Sequence, residues 1–342
     1  MRISYEPMEL RASHSLDIAH EGFSGNVFHN VLVRIEYEGI IGLGEAAPFF
    51  IYGENQRTSM AAMESLAPVV RQAEDPWGAE SLMQEIDSAL AGNQSVKAAI
   101  DMALYDLQGQ LCGKPLHSLL GLRAEDTPQS TFTLYLDSPE TLREKVRRVA
   151  DWPLLKVKLG GQYDLEAIEL VRKEAPDAVI RVDANAAWEP HQALDMIKEL
   201  VRYQVEFVEQ PLPAADPEGM RWLHSRSPLP LVADESCLRL EDLPGLRGLF
   251  DGINIKLTKC GGIRHALKMI SCARALGLKI MLGCMVESSI SLTAAGQISP
   301  LVDYADLDGN TLLEHDPFIG MQFDKCRLVL PAGPGLGVKS AE

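Results

Sequence analysis

The chain has 342 residues, 46% of them hydrophobic, and a formal net charge of −16. That is ample for a buried core and large for one simple domain, and the acidic balance argues against a nucleic-acid partner, because neutralising phosphates needs clustered Lys and Arg. No apolar run reaches transmembrane length and MRISYEPMELRAS lacks a signal-peptide core, so the sequence reads as a soluble cytoplasmic protein with no membrane partner. Six cysteines (Cys112, Cys237, Cys260, Cys272, Cys284, Cys326) stand apart with no CxxC and no metal-ligand spacing, as expected of buried or partly buried thiols in a reducing compartment.

Residues 1 to about 50 read as β-rich. MRISYEPMEL alternates, and NVLVRIEYEG followed by IIGLGEAAP predicts two strands joined at a Glu-Gly turn. Between them SLDIAHEGFSGNVFH reads as a loop. Phe23, Phe28, Phe49, Phe50 and Tyr52 gather aromatic side chains in two loops, which suggests a lid. Over residues 58–120 the pattern turns helical. SVKAAIDMALYDLQGQLCGKPL predicts the best helix, with Ser95 as its cap and Val96, Ala99, Ile100, Ala103, Leu104 and Leu107 as its apolar face. Gly113 and Pro115 end it, and Asp101 and Asp106 within it read as capping or solvated carboxylates. Strands followed by helices, before any alternation, predict a separate α+β domain.

From about Ser130 the chain settles into a repeated arrangement. TFTLYLD reads as a first strand, and SPETLREKVRRVA as a helix capped by Ser138 or Asp137. LLKVK then ends at Lys158, VIRVD at Asp183, VEFVE at Glu209, LVAD at Asp234, INIK at Lys256, LKIMLG near Gly283, and the last run at Asp306. Short β-branched runs, each followed by a longer amphipathic segment, are βα units of a parallel sheet. That many in a row predict a β/α barrel with its active site at the C-terminal strand ends, where the charges fall. A barrel takes about 200–250 residues. The predicted division is an α+β capping domain over residues 1–125, completed by 316–342, and a barrel over 126–315.

Asp183, Glu209 and Asp234 stand at the ends of successive strands, which converge on a small volume. A single strand-end carboxylate is more often structural than a ligand. Three in register would repel unless they are protonated, hydrogen-bonded to one another or neutralised by a cation. An all-oxygen set with no His or Cys favours Mg²⁺ over Zn²⁺. Lys156 and Lys158, at i and i+2, share the barrel-facing side of one strand, and Lys256 sits across the carboxylates. Burial of Lys156 beside Lys158 should push one of the pair towards the neutral amine, a base for a carbon acid.

Together KVK at 156–158, DAN at 183–185, EQP at 209–211, DES at 234–236 and NIKLTKCGG from Asn254 resemble the enolase superfamily, muconate-lactonising subgroup, and GLGEAAP at 42–48 extends the likeness to the first domain. The resemblance implies a (β/α)₇β modified TIM barrel with an α+β capping domain. It implies Mg²⁺ on Asp183, Glu209 and Asp234, an acid/base pair in Lys158 and Lys256 on opposite faces of the substrate, and Lys156 tuning Lys158. That constellation suits a 1,1-proton transfer.

ADLDG at 305–309 and GCMVESS at 283–289 resemble the dipeptide epimerases of this subgroup, in which such a DxD pair (here Asp306 and Asp308) holds the α-ammonium of the dipeptide. Thr133 in the first strand and Glu21 in the first loop are further candidate substrate contacts. Members acting on Ala-Glu carry a basic residue in that loop. Here AHEGFSG offers Glu21, with no Lys or Arg between Asp17 and Val33, so the implied substrate is a dipeptide with an apolar or cationic C-terminal residue. The alternatives are an N-acylamino acid racemase, an o-succinylbenzoate synthase, a muconate cycloisomerase, or a barrel that only binds Mg²⁺ and a small acid. The oligomeric state stays open, a homo-oligomer included.

Overall fold

The computed structural model describes residues 1–19 and 24–341. Three antiparallel strands, β1 (Arg2–Asp17), β2 (Ser24–Tyr37) and β3 (Ile40–Ala46), form a sheet in chain order. The predicted Glu-Gly turn joins β2 to β3, with Glu38 and Gly39 both at positive φ (51° and 79°) as a two-residue hairpin requires. Of the stretch from Ser15 to His29, expected as a loop, residues 15–17 and 24–29 are instead strand, with Leu16 paired to Gly25 and Asp17 to Ser24. A register shift between Arg11 and Leu16 breaks the alternation along β1 and hides the strand from periodicity.

Three helices follow: α1 (Gln56–Gln72), α2 (Ala79–Ala89) and α3 (Gln94–Leu111). β3 lies directly on α3. A Cβ on Gly44 would sit 1.8 Å from the Ala99 carbonyl oxygen, and one on Gly42 2.0 Å from that of Ala103, so only glycine permits this approach. Ser95 does not cap α3 as predicted; it lies inside the first turn. The carboxylate of Glu54 does the capping, accepting from the Gln94 N–H (2.7 Å), the Ser95 N–H (3.2 Å) and the Ser95 hydroxyl. A cap delivered from another segment leaves no local signature.

Asp101 and Asp106 are not solvated, contrary to expectation. Both are buried. Asp106 accepts from the backbone N–H groups of Leu43 (2.9 Å) and Leu336 (2.7 Å), and Asp101 from that of Arg264 (3.0 Å). Burial pushes their carboxyls up, to about 7 for Asp101 and about 6 for Asp106. They fasten α3 to β3, to the C-terminal segment and to the barrel.

Eight parallel strands make the second sheet: β4 (Phe132–Leu134), β5 (Leu154–Lys158), β6 (Val179–Asp183), β7 (Val205–Glu209), β8 (Leu231–Ala233), β9 (Gly252–Lys256), β10 (Lys279–Gly283) and β11 (Tyr304–Asp306), neighbours in chain order. A parallel bridge between Ser130 and Ala305 joins the last strand to the lead of the first and closes the ring. Helical segments lie between consecutive strands, so the architecture is a (β/α)₇β barrel with an α+β cap. All five residues of β5 are buried. Leu155 and Val157 pack into the main core, while Lys156 and Lys158 alternate to the interior. Lower in the barrel, Phe207, Val232 and Met281 cluster, and the Arg181 guanidinium lies 5.1 Å from the Phe207 ring and 4.7 Å from that of Tyr304.

After Asp308 a short hairpin (Gln322–Asp324 with Arg327–Val329) leads to a Gly/Pro-rich segment that returns to α3 at Gly335 and Leu336. All six cysteines are free. No helix among the described residues is long and apolar enough to cross a membrane.

Candidate active site

The strand register sets the site. Lys158 pairs with Asp183 and Asp183 with Glu209, so the ends of β5, β6 and β7 present charge at one level. Asp234 follows β8 directly. Across the mouth Lys256, Gly283 and Asp306 are level on β9, β10 and β11. β5 and β9 stand four strands apart in a closed ring of eight, so Lys158 and Lys256 reach the centre from opposite walls. Both line one cavity, with Lys156, Asp234, Asp306, Asp308 and Thr133.

One carboxylate oxygen each from Asp183, Glu209 and Asp234 lie within 4.8 Å of one another, all buried. Burial alone would raise all three carboxyls. For Asp183 the ammoniums of Lys158 (2.7 Å) and Lys156 (3.1 Å) reverse this and hold it below its ordinary value. For Asp234, Lys256 (2.8 Å) and Lys259 do the same. Glu209 goes the other way: burial and the neighbouring Asp183 charge push it up, against the offsetting Lys156 ammonium. Its Oε2 lies 2.7 Å from Lys156 Nζ yet lacks an aligned hydrogen bond. An oxygen-only donor set carrying this like-charge stress fits a hard divalent cation.

Lys156 is surrounded by acids. It stands 2.7 Å from Asp306 Oδ2, 2.7 Å from Glu209 Oε2 and 3.1 Å from Asp183 Oδ2. Burial would lower its pKa, but these carboxylates outweigh burial and hold it well above the ordinary ammonium value. The sequence left open which of Lys156 and Lys158 would be the neutral amine; three acids from other strands hold Lys156 as the ammonium. Lys256 is likewise raised against burial, chiefly by Asp234.

Asp306 and Asp308 share Thr133. Its hydroxyl lies 3.3 Å from each carboxylate, and its N–H donates to Asp308 Oδ2 at 2.6 Å. Lys156, opposing burial, keeps Asp306 low, whereas burial and the charge of Asp306 raise Asp308. Glu21 and Phe23 lie outside the described residues.

Several residues at the site escaped sequence reasoning. Lys259 donates to the Asp234 carbonyl (2.8 Å) and carboxylate and to the Asn254 carbonyl (3.1 Å). Its signal was a lysine within an otherwise buried run three residues after Lys256. Asn254, two residues before Lys256 on the same strand face, donates to Glu209 Oε1 at 2.7 Å. A Cβ at Gly283 would lie 2.5 Å from Asn254 Oδ1, so that glycine makes room for it. The Gln210 side chain accepts from the N–H groups of Asp234 (2.9 Å) and Ser236 (3.1 Å), tying EQP to DES.

A closed β/α barrel with a buried acidic trio between two opposed lysines, roofed by an α+β cap, is the architecture of an enolase-type barrel. Residues 11–121 match the model of the mandelate racemase / muconate lactonizing enzyme N-terminal domain, and residues 141–342 that of the enolase C-terminal domain-like family. The L-Ala-D/L-Glu epimerase of Bacteroides thetaiotaomicron is 42% identical over 99% of this chain and 88% of its own length. The dipeptide epimerase of Enterococcus faecalis, solved with Mg and L-Leu-L-Tyr, superposes with a TM-score of 0.93 at 32% identity over 99% of both chains. A substrate-liganded L-Ala-D/L-Glu epimerase from Bacillus subtilis gives a TM-score of 0.94 at 30% identity, over 100% of this chain and 99% of that one. The chain belongs to the mandelate racemase / muconate lactonizing enzyme family.

Proposed function

We propose that this chain is a dipeptide epimerase that inverts the α-carbon of the C-terminal residue by 1,1-proton transfer. The observation that carries it is the placement of Lys158 and Lys256 on opposite barrel walls, lining one cavity. A neutral amine on one wall takes the α-proton, and an ammonium on the other returns one to the opposite face; inversion needs both. The relatives support the substrate class, and the two acids Asp306 and Asp308 support it further, because they suit a free α-ammonium and would repel an acyl group's second carboxylate.

Asp183, Glu209 and Asp234 are the residues that would hold Mg²⁺, the ion of the Enterococcus faecalis complex. Bound there, Mg²⁺ would supply positive charge to a substrate carboxylate and ease ionisation of the adjacent carbon. Lys158 and Lys256 share their carboxylate partners with this ion site, so filling it would weaken both ion pairs. Lys156, held protonated, remains as fixed positive charge beside the reacting carbon.

The described roof of the cavity includes Leu16, Ile18, Phe28, Phe49 and Ile51, which favours an apolar over a cationic second side chain. Kinetics on an Ala-Xaa library with Mg²⁺ test both readings. A clear preference for Ala-Glu removes the apolar assignment, and no turnover of any dipeptide removes the epimerase.

A further inference from the structure

GLGEAAP contains a buried carboxylate that the proposed chemistry does not use. Glu45, in β3, is fully buried, and one of its partners, Ser288, lies 243 residues away. The Ser288 backbone N–H donates to Oε1 (3.0 Å) and Oε2 (3.1 Å), and the Ser288 hydroxyl donates to Oε2 at 2.5 Å. Asn30 of β2 donates to Oε1 at 2.7 Å and to the Val286 carbonyl at 3.1 Å. Ser288 caps the helix Ser289–Ile298, so the carboxylate also sits at that helix's positive end.

Position gives this network its interest. Asn30, with Phe28 and His29 just before it in β2, lines the cavity from the cap; Cys284, Met285 and Val286 line it from the barrel. Ala47 and Pro48 follow Glu45 closely and open the aromatic segment over the mouth. A second tie lies beside it: the Thr258 hydroxyl, two residues past Lys256, donates to the Ala47 carbonyl at 2.8 Å. Loose packing between two domains would let the roof ride up and down over the amines. A buried carboxylate with four donor contacts from the barrel loop and the cap fixes its height.

We propose that Glu45 is a positioning residue, a latch that clamps the capping sheet to the barrel loop 284–288 and thereby sets how closely the apolar roof meets the substrate's second side chain. The effect on catalysis rests on the dipeptide reading above. The latch itself does not.

The test compares two dipeptides in wild type, Glu45→Gln and Ser288→Ala. On the dipeptide reading, the larger second side chain of Ala-Phe would reach the roof and that of Ala-Ala would not. The latch predicts that Glu45→Gln lowers kcat/KM for Ala-Phe at least tenfold, through KM, and that for Ala-Ala less than threefold. Equal losses on both substrates, or a lowered melting temperature with both activities intact, would overturn it, since a merely structural carboxylate cannot tell the substrates apart. Should Glu45→Gln fail to fold, Ser288→Ala removes the hydroxyl contact to Glu45 together with the Ile290 cap, keeps both N–H contacts, and must show the same split in smaller measure. If wild type turns over no dipeptide, the functional reading fails while the latch is still read by hydrogen exchange. Protection of the 284–288 amides should fall at least tenfold in Glu45→Gln, and unchanged protection would overturn the clamp.

Discussion

Lys156→Met removes the one ammonium that touches Asp183, Glu209 and Asp306 together. Each of its 2.7 Å contacts corresponds to roughly 6 kcal/mol of attraction at an effective dielectric constant of about 20. Desolvation of the buried ammonium offsets most of that, and removing one partner of a buried pair costs about 3–5 kcal/mol net. The variant should therefore unfold at markedly lower urea concentration at pH 8 without added metal, followed by the fluorescence of the buried Trp188. The sign of the pH dependence follows. In wild type Asp183 and Asp306 are held low, so their contribution persists down to their unfolded pKa near 4 and is lost only as pH falls through the folded values. In the variant Asp306 loses its chief counter-charge and rises, while Asp183 keeps Lys158. The folded variant then takes up protons at higher pH than wild type, so the deficit should narrow as pH falls. A deficit below about 1 kcal/mol, the level of a surface pair, or one that stays constant with pH, would refute the assignment of Lys156 as the charge that holds this cluster together.

Other consequences are more direct. Chelation should abolish turnover and added Mg²⁺ restore it, and Asp234→Asn should weaken Mg²⁺ binding by calorimetry at least tenfold; undiminished binding would remove the trio as the ion site. Gly283→Ala drives a methyl into Asn254, which then releases Glu209, so kcat should fall about 10–100-fold, the usual effect of losing a group that orients a metal ligand. Asp308→Asn should raise KM for dipeptides while leaving Mg²⁺ affinity within twofold; a fall in kcat alone would place Asp308 elsewhere in the mechanism.

The barrel was legible because most strands carry their own signal: six short apolar runs, ending at Lys158, Asp183, Glu209, Asp234, Lys256 and Asp306, recur with a steady spacing. Parallel neighbours at one level turn that register into a cluster, so Asp183 and Glu209 could be placed side by side from spacing alone. What stayed hidden depends on partners distant in sequence. Ser95 looks like a cap until Glu54 arrives from another segment, and Asp106 looks solvated until Leu43 and Leu336 bring their N–H groups to it. Lys156 shows the same limit at the site itself. Its chain neighbour two residues on suggested repulsion, whereas Asp306, 150 residues away, accepts its hydrogen bond and holds it as the ammonium. Lys259 and Asn254 were present within a recognised motif, but only coordinates reveal that one holds Asp234 and the other Glu209.

Proton exchange in D₂O, resolved by enantiomer, bears most directly on the two-lysine account. Wild type should place deuterium at the α-carbon of the second residue from either epimer, whereas Lys158→Ala and Lys256→Ala should each lose epimerisation and keep exchange from one epimer only, opposite in the two variants. Exchange from both epimers in either variant, or from the same epimer in both, would contradict it.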